Sequence, residues 1–564
     1  MPSGVVLATG LLVNALTART LPLLWAAVLI YVATQAGSMI GQPVNSWLQQ
    51  QLINRMTGVL QAALIEATGA FPGIAHLDNP ARLNEMQLLR DQSPWMPMNI
   101  VQFSSQAVRG AVTTIAVLAI IARWSPGIAL LILVSTIPFA WAQLQASWSA
   151  WQGIVSQAPE NRRLQYVFQV ALDRSTAQEI RVFDLTPFLL RKYSQYYARV
   201  LQILRRAQTR QTRITLATAV AASLGVAIAF GWVVLEGWRR EISVGQVAQM
   251  GAALFQALVA LQMTMPAVAS LWTRSSHYAE ILKRWIEESA VDEDAQSPYS
   301  PSPGVHSISR QAAASVEFRA VGFRYPNGKV ALQNVSFRIP DGQTVALIGP
   351  NGAGKSTIIK LLLRLYDPSE GVILVDGIPL LHQDRKAYRR QVSVCPQDFG
   401  KYQFTVRENI TLGQTPPDPE RLMSASYIAR AEFIDRFPQG YGQELGNLGE
   451  QSFELSGGEW QRLAIARAAY RADARLILLD EPTAAVDPEV EREMLTSLLA
   501  LCRDRTAIIV THRLSLARQV DRILVVNGGR IEEDGVHDDL MDRHGLYATL
   551  FENQSSLYQR VGSQ

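Results

Sequence analysis

Cysteine is nearly absent: only Cys395 and Cys502 occur in 564 residues, both in the second half of the chain. That half reads as cytoplasmic on the charge grounds given below, and a reducing compartment gives a structural disulfide no role. Net charge is also small, +4, and no extended basic stripe runs along a polar face. Nucleic acid is therefore not implied as a partner. Met1-Pro2-Ser3-Gly4 holds no Lys or Arg, so the apolar run after it lacks the basic start of a cleaved secretory signal. Charges are scarcest between residues 4 and 272, where apolar stretches fill 21–40, 111–121, 128–141, 214–235 and 244–271. A string of soluble domains would not be so uneven.

With their flanks, most of these stretches are long enough to cross a bilayer as helices of about 20 residues. The run at residues 5–16 is shorter and reads as half a helix, giving about six membrane helices with the first one short. Segment 145–213 carries Arg162, Arg163, Arg174, Arg181, Arg191, Lys192, Arg199, Arg205, Arg206 and Arg210, so the positive-inside rule makes it cytoplasmic. Alternating faces from there puts the second half in the cytoplasm as well. Residues 56–91 and 162–208 are too polar for lipid yet keep helical apolar periodicity, and each has a break, at 76–80 and at 183–187, where Asp or Thr stands beside Pro. The expected organisation is an all-α transmembrane domain over 1–290, a Ser/Pro-rich linker over 291–314 and an α/β domain over 315–564. Strands are expected at 316–323, 344–348, 476–479, 507–510 and 522–526.

The chemistry lies in the second half. Gly349-Pro350-Asn351-Gly352-Ala353-Gly354-Lys355-Ser356-Thr357 fits a phosphate-binding loop and stands between an apolar strand and a helix, the context that motif requires. Its glycines let backbone N–H groups converge on phosphates, Lys355 reaches the terminal ones and Ser356 can place its hydroxyl on Mg²⁺. Asp480 and Glu481 end a strand of apolar residues and emerge at the edge where α/β sites lie. Asp480 is suited to hold Mg²⁺ through water, and Glu481 to polarise an attacking water. His512 follows another strand and would approach the terminal phosphate if that strand neighbours the Asp480 strand. Tyr325 offers a face on which adenine can stack. Leu455-Ser456-Gly457-Gly458-Glu459 is a second phosphate cradle opening a helix, and one chain needs only one.

Tyr325, the phosphate loop, Gln397, the 455–459 signature, Asp480-Glu481, Asp487 and His512 stand in the order and spacing of an ATP-binding cassette. The chain resembles a half-transporter of the ABC exporter type, and the α/β part accordingly resembles a P-loop NTPase. The resemblance implies ATP and Mg²⁺ as cofactors, with Tyr325 on adenine and Gly349, Asn351, Gly352, Gly354, Lys355, Ser356 and Thr357 on phosphates. It implies Ser356, Gln397 and Asp480 on the metal, Asp480 through water, and a catalytic set of Glu481 as the carboxylate, His512 as the γ-phosphate switch and Gln397 as the residue that also couples the site to its surroundings. It also implies that Ser456, Gly457, Gly458 and Glu459 close over ATP held by a second half-transporter, which Asp487 contacts. A homodimer suffices because every motif is intact here, and a heterodimer with a degenerate chain stays open. Trp460-Gln461, the stretch 397–402 and the stretch 181–190 look like exporters of lantibiotics and related peptides, though no cysteine precedes the membrane helices to build an N-terminal cysteine peptidase. The implied activity is ATP hydrolysis driving a peptide or other amphipathic cargo out across the cytoplasmic (inner) membrane. Lipid or multidrug export, and ATP-dependent sensing without transport, are the alternatives.

Two polar stripes interrupt the apolar helices: Gln102, Gln106, Arg109 and Thr113 on one, and Gln246, Gln249 and Gln256 on another. At about 100° per residue each stripe falls on one arc, and both are expected to line a cavity or to bond helix to helix.

Overall fold

The computed structural model describes residues 2–561 apart from positions 157, 175, 240, 291–312, 415, 472 and 483–487. Residues Met1–Ala70 and Asn84–Ala290 form one compact unit, and Phe71–Leu83 with Val291–Gln564 form a second.

The first unit is helical. α1 (Pro2–Ala18) is followed by α2 (Leu21–Ala70), α3 (Pro80–Gln92), α4 (Met96–Trp124), α5 (Pro126–Ser156), α6 (Ala158–Leu172), α7 (Ala177–Val182), α8 (Thr186–Trp238), α9 (Val244–Ser270) and α10 (Ser276–Ala290), with a π-helical turn at Leu271–Ser275 between the last two. Among the described residues five helical spans are long and apolar enough to cross a membrane, and α1, at 17 residues, is a shorter apolar helix beside them. α2 and α8, with 50 and 53 residues, reach roughly 75–80 Å at 1.5 Å per residue and so extend far beyond a bilayer.

The breaks have local causes. Arg19 takes a positive φ between α1 and α2, and Asp184 does so just before Thr186-Pro187 opens α8. Ser243 caps α9 in a reciprocal capping box with Gln246. Small residues let helices approach: a Cβ on Gly110 of α4 would meet the Thr264 hydroxyl of α9 at 1.8 Å. Val117, Ile121, Ile132, Val233, Ala253, Leu254 and Ala257 form the buried core. Outward, Trp25, Leu29, Val112, Ile115, Leu130 and Ile228 are exposed, as a lipid-facing surface requires.

The second unit has two sheets. β1 (Val316–Arg324), β2 (Val330–Ile339), β4 (Glu370–Val375) and β5 (Ile378–Pro379) form an antiparallel sheet in the order β2-β1-β4-β5. β3 (Thr344–Ile348), β6 (Val392–Cys395), β7 (Leu476–Asp480), β8 (Thr506–Val510), β9 (Arg522–Asn527) and β10 (Arg530–Gly535) form the other in the order β10-β9-β3-β8-β7-β6. β3, β8 and β7 are parallel neighbours buried along their whole lengths, so the loops at their C-terminal ends open at one edge. Cys395 and Cys502 are both buried and free, and burial pushes both thiols up to about 12.

Residues Phe71–Leu83 belong to this unit although α1 and α2 precede them. The Ile74 N–H donates to Leu365 O at 3.0 Å, Arg389 donates to Pro72 O at 2.7 Å, and the Tyr366 hydroxyl donates to Asp78 at 2.6 Å. A Cβ on Gly73 would meet Leu365 O at 2.5 Å, so only glycine admits so close a backbone pass. The expected break at 76–80 is thus a short 3₁₀ turn, Ala75–Asp78, seated on the α/β fold.

Candidate nucleotide-binding site

β3 delivers the phosphate loop. Gly349 has φ +149° and a Cβ there would meet Val526 O at 2.0 Å, while Gly354 has φ +107° at the cap of the helix Lys355–Leu362. Both positions demand glycine. The Lys355 ammonium is buried and donates to Gly349 O at 2.7 Å and Pro350 O at 2.9 Å. Burial lowers its affinity for the proton, and the nearby Glu481 and Asp480 carboxylates oppose that.

β7 and β8 deliver the acidic pair and the histidine. Because these strands are neighbours, His512 Nε2 lies 2.9 Å from Glu481 Oε1, while Gln397 Nε2 donates to Glu481 Oε2 at 3.3 Å. Glu481 has φ +51°, a conformation disfavoured for any residue but glycine. It is held there by two bonds: its N–H donates to Val510 O at 2.9 Å, and Gln461 donates to its carbonyl at 3.2 Å. Asp480 is buried beside the Ser356 hydroxyl and keeps Oδ1 without a hydrogen-bond partner. Burial raises its affinity for the proton, and the neighbouring Glu481 charge adds to that. A buried carboxylate oxygen awaiting a partner, beside a serine hydroxyl, fits an oxygen-loving Mg²⁺ or its water.

These residues enclose a pocket of about 520 Å³ lined by Tyr325, Asn351, Gly352, Gly354, Lys355, Ser356, Thr357, Gln397, Glu481 and His512, with Lys329 and Ala331 beside Tyr325. The Tyr325 hydroxyl shares a 3.0 Å hydrogen bond with Thr357, and Lys360 lies 5.8 Å from its ring. Polar at one end and aromatic at the other, the pocket suits a nucleoside phosphate.

Ser456, Gly457 and Gly458 do not line this pocket. Ser456 caps the helix Gly457–Tyr470, and a Cβ on Gly457 would meet nothing within 4 Å. Glu459 is turned inward: it accepts from the Ser456 N–H at 2.8 Å and pairs with Arg436 at 2.6 Å, so its carboxylate is committed to the cap. Replacing it, Glu459→Ala, should cost about 1–2 kcal/mol of cassette stability, read as a lower urea midpoint. A midpoint that did not move would remove its capping role. Asp487 lies outside the described residues.

Two supports were not foreseen from the sequence. Gln461, noted there only as part of a resemblance, fixes the Glu481 backbone. Arg467, on the signature helix, is buried and donates to Asn409 Oδ1 and to Gly400 O, both at 2.6 Å, tying that helix to the segment that carries Gln397.

In the helical unit, Gln102, Gln106, Arg109, Thr113 and Gln256 line one cleft of about 570 Å³ with Gln49. Gln246 and Gln249 do not. Gln246 is spent in the capping box of α9, and Gln249 packs against Gly10 of α1. The second polar stripe is therefore divided between its own helix's cap, α1 and the cleft.

Residues 332–484 match the model of the ABC transporter family. The chain is 28% identical over 482 residues to the subtilin transport ATP-binding protein SpaT of Bacillus subtilis, covering 85% of this chain and 77% of that one. It is 36% identical over 335 residues to the ATP-dependent lipid A-core flippase of Burkholderia orbicola, covering 59% and 54%, and 39% identical over 280 residues to the beta-(1→2)glucan export protein NdvA of Agrobacterium fabrum, covering 50% and 47%. The matched segments thus span about half the length of the last two. The solved structure of a bacterial Atm1-family ABC exporter with ATP bound superposes with a TM-score of 0.76 at 26% identity, covering 98% of this chain and 95% of that one. Its apolar helices make the chain a multi-pass membrane protein, and an ATP-binding cassette works where ATP is, in the cytoplasm. A helical membrane domain fused to such a cassette, similar end to end to a solved exporter, makes this chain a half-transporter of the ABC exporter type.

Proposed function

We propose that two such chains pair in the cytoplasmic membrane, close their cassettes on two Mg·ATP, and use that closure to move a peptide-like amphipathic cargo outward. The observation that carries the pairing is the separation of parts: the phosphate loop with Glu481 and His512 forms one pocket, while Ser456–Gly458 lies outside it with an open face. A cap exposing backbone N–H groups, with no phosphate of its own chain to meet, fits ATP held at Lys355 of a second chain. A homodimer satisfies this because the described motif residues supply both halves.

Within the pocket each residue's task follows from its contacts. Lys355 and the loop N–H groups hold the phosphates, Tyr325 supports adenine, and Ser356 with Asp480 and Gln397 would hold Mg²⁺, which supplies charge neutralisation at the phosphates. Glu481 accepts a proton from the attacking water, and His512, bonded to the same carboxylate, orients it toward the terminal phosphate. Asp487 is assigned to the contact with the second chain. Because ATP binds the closed pair better than the open one, binding shifts the equilibrium and hydrolysis resets it.

Peptide cargo is favoured because, of the three relatives above, the subtilin transport protein is matched over most of this chain. ATP-dependent accumulation of labelled peptides in inverted vesicles tests the reading. Hydrolysis without accumulation of any peptide, lipid or drug offered would point instead to a sensor.

Transmission to the membrane domain is assigned to Phe71–Leu83. Tyr366 packs edge-on to Tyr325, with ring centroids 5.3 Å apart, and donates to Asp78. Tyr366→Phe should therefore lower transport several-fold with little change in ATP affinity, since one hydrogen bond of about 1 kcal/mol is lost away from the phosphates. Equal loss of transport and of ATP affinity would place Tyr366 in the pocket instead.

A further inference from the structure

We infer that the cleft between α2, α4 and α9 is a cargo subsite that seats a carboxylate of a peptide on Arg109, with the surrounding glutamines taking its amide groups. This rests on the exporter reading above and adds the chemical class of what is carried.

Arg109 is the charge with the least explanation in the helical unit. It stands 13 residues from the start of α4 and 15 from its end, roughly 20 Å each way along the axis. That distance is well beyond an arginine's reach, so the side chain cannot put its guanidinium at either end of the helix. No Asp or Glu occurs in α4 or α9, and the one acidic residue of α2, Glu66, is 17 residues past Gln49, about 25 Å along the helix. Arg109 bonds only to its own helix, donating from Nε to Ser105 O at 3.3 Å, and it has no ion pair among the described residues. Ionisable groups at such depth face a cavity or a partner, and here the cavity is observed.

The lining tells what enters. Gln102, Gln106, Arg109 and Thr113 recur along one face of α4, Gln256 faces them from α9, and Gln49 reaches in from α2. Gly110 is what brings α4 and α9 close enough for the faces to meet, since any Cβ there would strike Thr264. Gln49 donates to Ser105 at 2.6 Å and Gln106 contacts Met263 Sδ at 3.6 Å, whereas Gln102 and Gln256 make no side-chain hydrogen bond among the described residues. A carboxamide offers donors and an acceptor at once, which is the complement of a peptide group. A single guanidinium matches a single carboxylate as a two-pronged pair. A phosphate-bearing lipid headgroup would call for more cations and fewer amides than are present.

The test uses the full chain in phosphatidylcholine nanodiscs and a short fluorescent amphipathic peptide without acidic side chains, made with a free C-terminal carboxylate and as its amide. The free acid should bind about 10- to 100-fold more tightly than the amide. Arg109→Gln should bring the acid down to the amide, and Arg109→Lys, which keeps the charge, should retain part of the preference. Phosphatidic acid added to the nanodisc should leave the ratio unchanged. Equal binding of acid and amide by the unaltered chain, a preference surviving in Arg109→Gln, binding of neither peptide, or displacement of the acid by phosphatidic acid each overturn the inference. The acid-to-amide ratio is read without ATP, so it stands or falls separately from ATP-driven accumulation in vesicles, whose absence would count against the exporter reading itself.

Discussion

Glu481→Gln should bind ATP as the unaltered chain does and hydrolyse it at least about 100-fold more slowly, within the range general-base removal produces. The substitution keeps shape and volume, and the backbone bonds that hold position 481 at positive φ do not involve the side chain. What is lost is a carboxylate that takes His512 at 2.9 Å on one oxygen and Gln397 at 3.3 Å on the other. An amide can accept on one side only and is too weak a base to take a proton from water. Phosphate release measured beside equilibrium binding of a fluorescent ATP analogue separates the two effects. Turnover within about threefold of the unaltered chain would remove Glu481 from the catalytic role.

Lys355→Met should weaken ATP binding by more than about 100-fold, corresponding to the roughly 3 kcal/mol at the upper end for hydrogen bonds to a charged group. The cost to folding should be far smaller. The ammonium is buried against the carbonyls of Gly349 and Pro350, so removing it relieves a desolvation penalty while leaving two acceptors short of a donor. Affinity and stability therefore diverge, and an analogue titration paired with a urea melt reads both. A variant that lost stability in proportion to affinity would mean that the lysine mainly holds the loop.

The parts of the site that the sequence made legible are those encoded within a few residues of one another. The phosphate loop is such a case, because its glycines, lysine and serine are contiguous and flanked by a strand and a helix. His512 is different: its place depended on β8 lying beside β7, a pairing across about thirty positions that the sequence could only pose as a condition. Gln461 and Arg467 escaped because their partners are 20 and 58 to 67 residues away and nothing local marks a supporting bond. β4 and β10 escaped because a six-residue strand with a polar outer face has too little alternation to stand out, and β6 because four residues are too few to show a period. The glutamines of α9 teach a related lesson. Periodicity told which residues share an arc, but Gln246 went to the helix cap and Gln249 to α1, leaving Gln256 alone at the cleft.

Residues Phe71–Leu83 fold with a domain whose strands are encoded hundreds of codons later. At ordinary elongation rates of 5–20 residues per second, the ribosome makes β9 on the order of 20–90 s after this segment has emerged. Until that domain folds, Ile74 and Asp78 lack the partners that Leu365 and Tyr366 provide in it. Synthesis thus imposes an order on assembly: the early segment must be kept available until the late domain closes around it. A cassette expressed without the upstream helices would leave Leu365 O, Arg389 and Tyr366 without these partners, an opening for chaperones or for another chain's copy of the same segment.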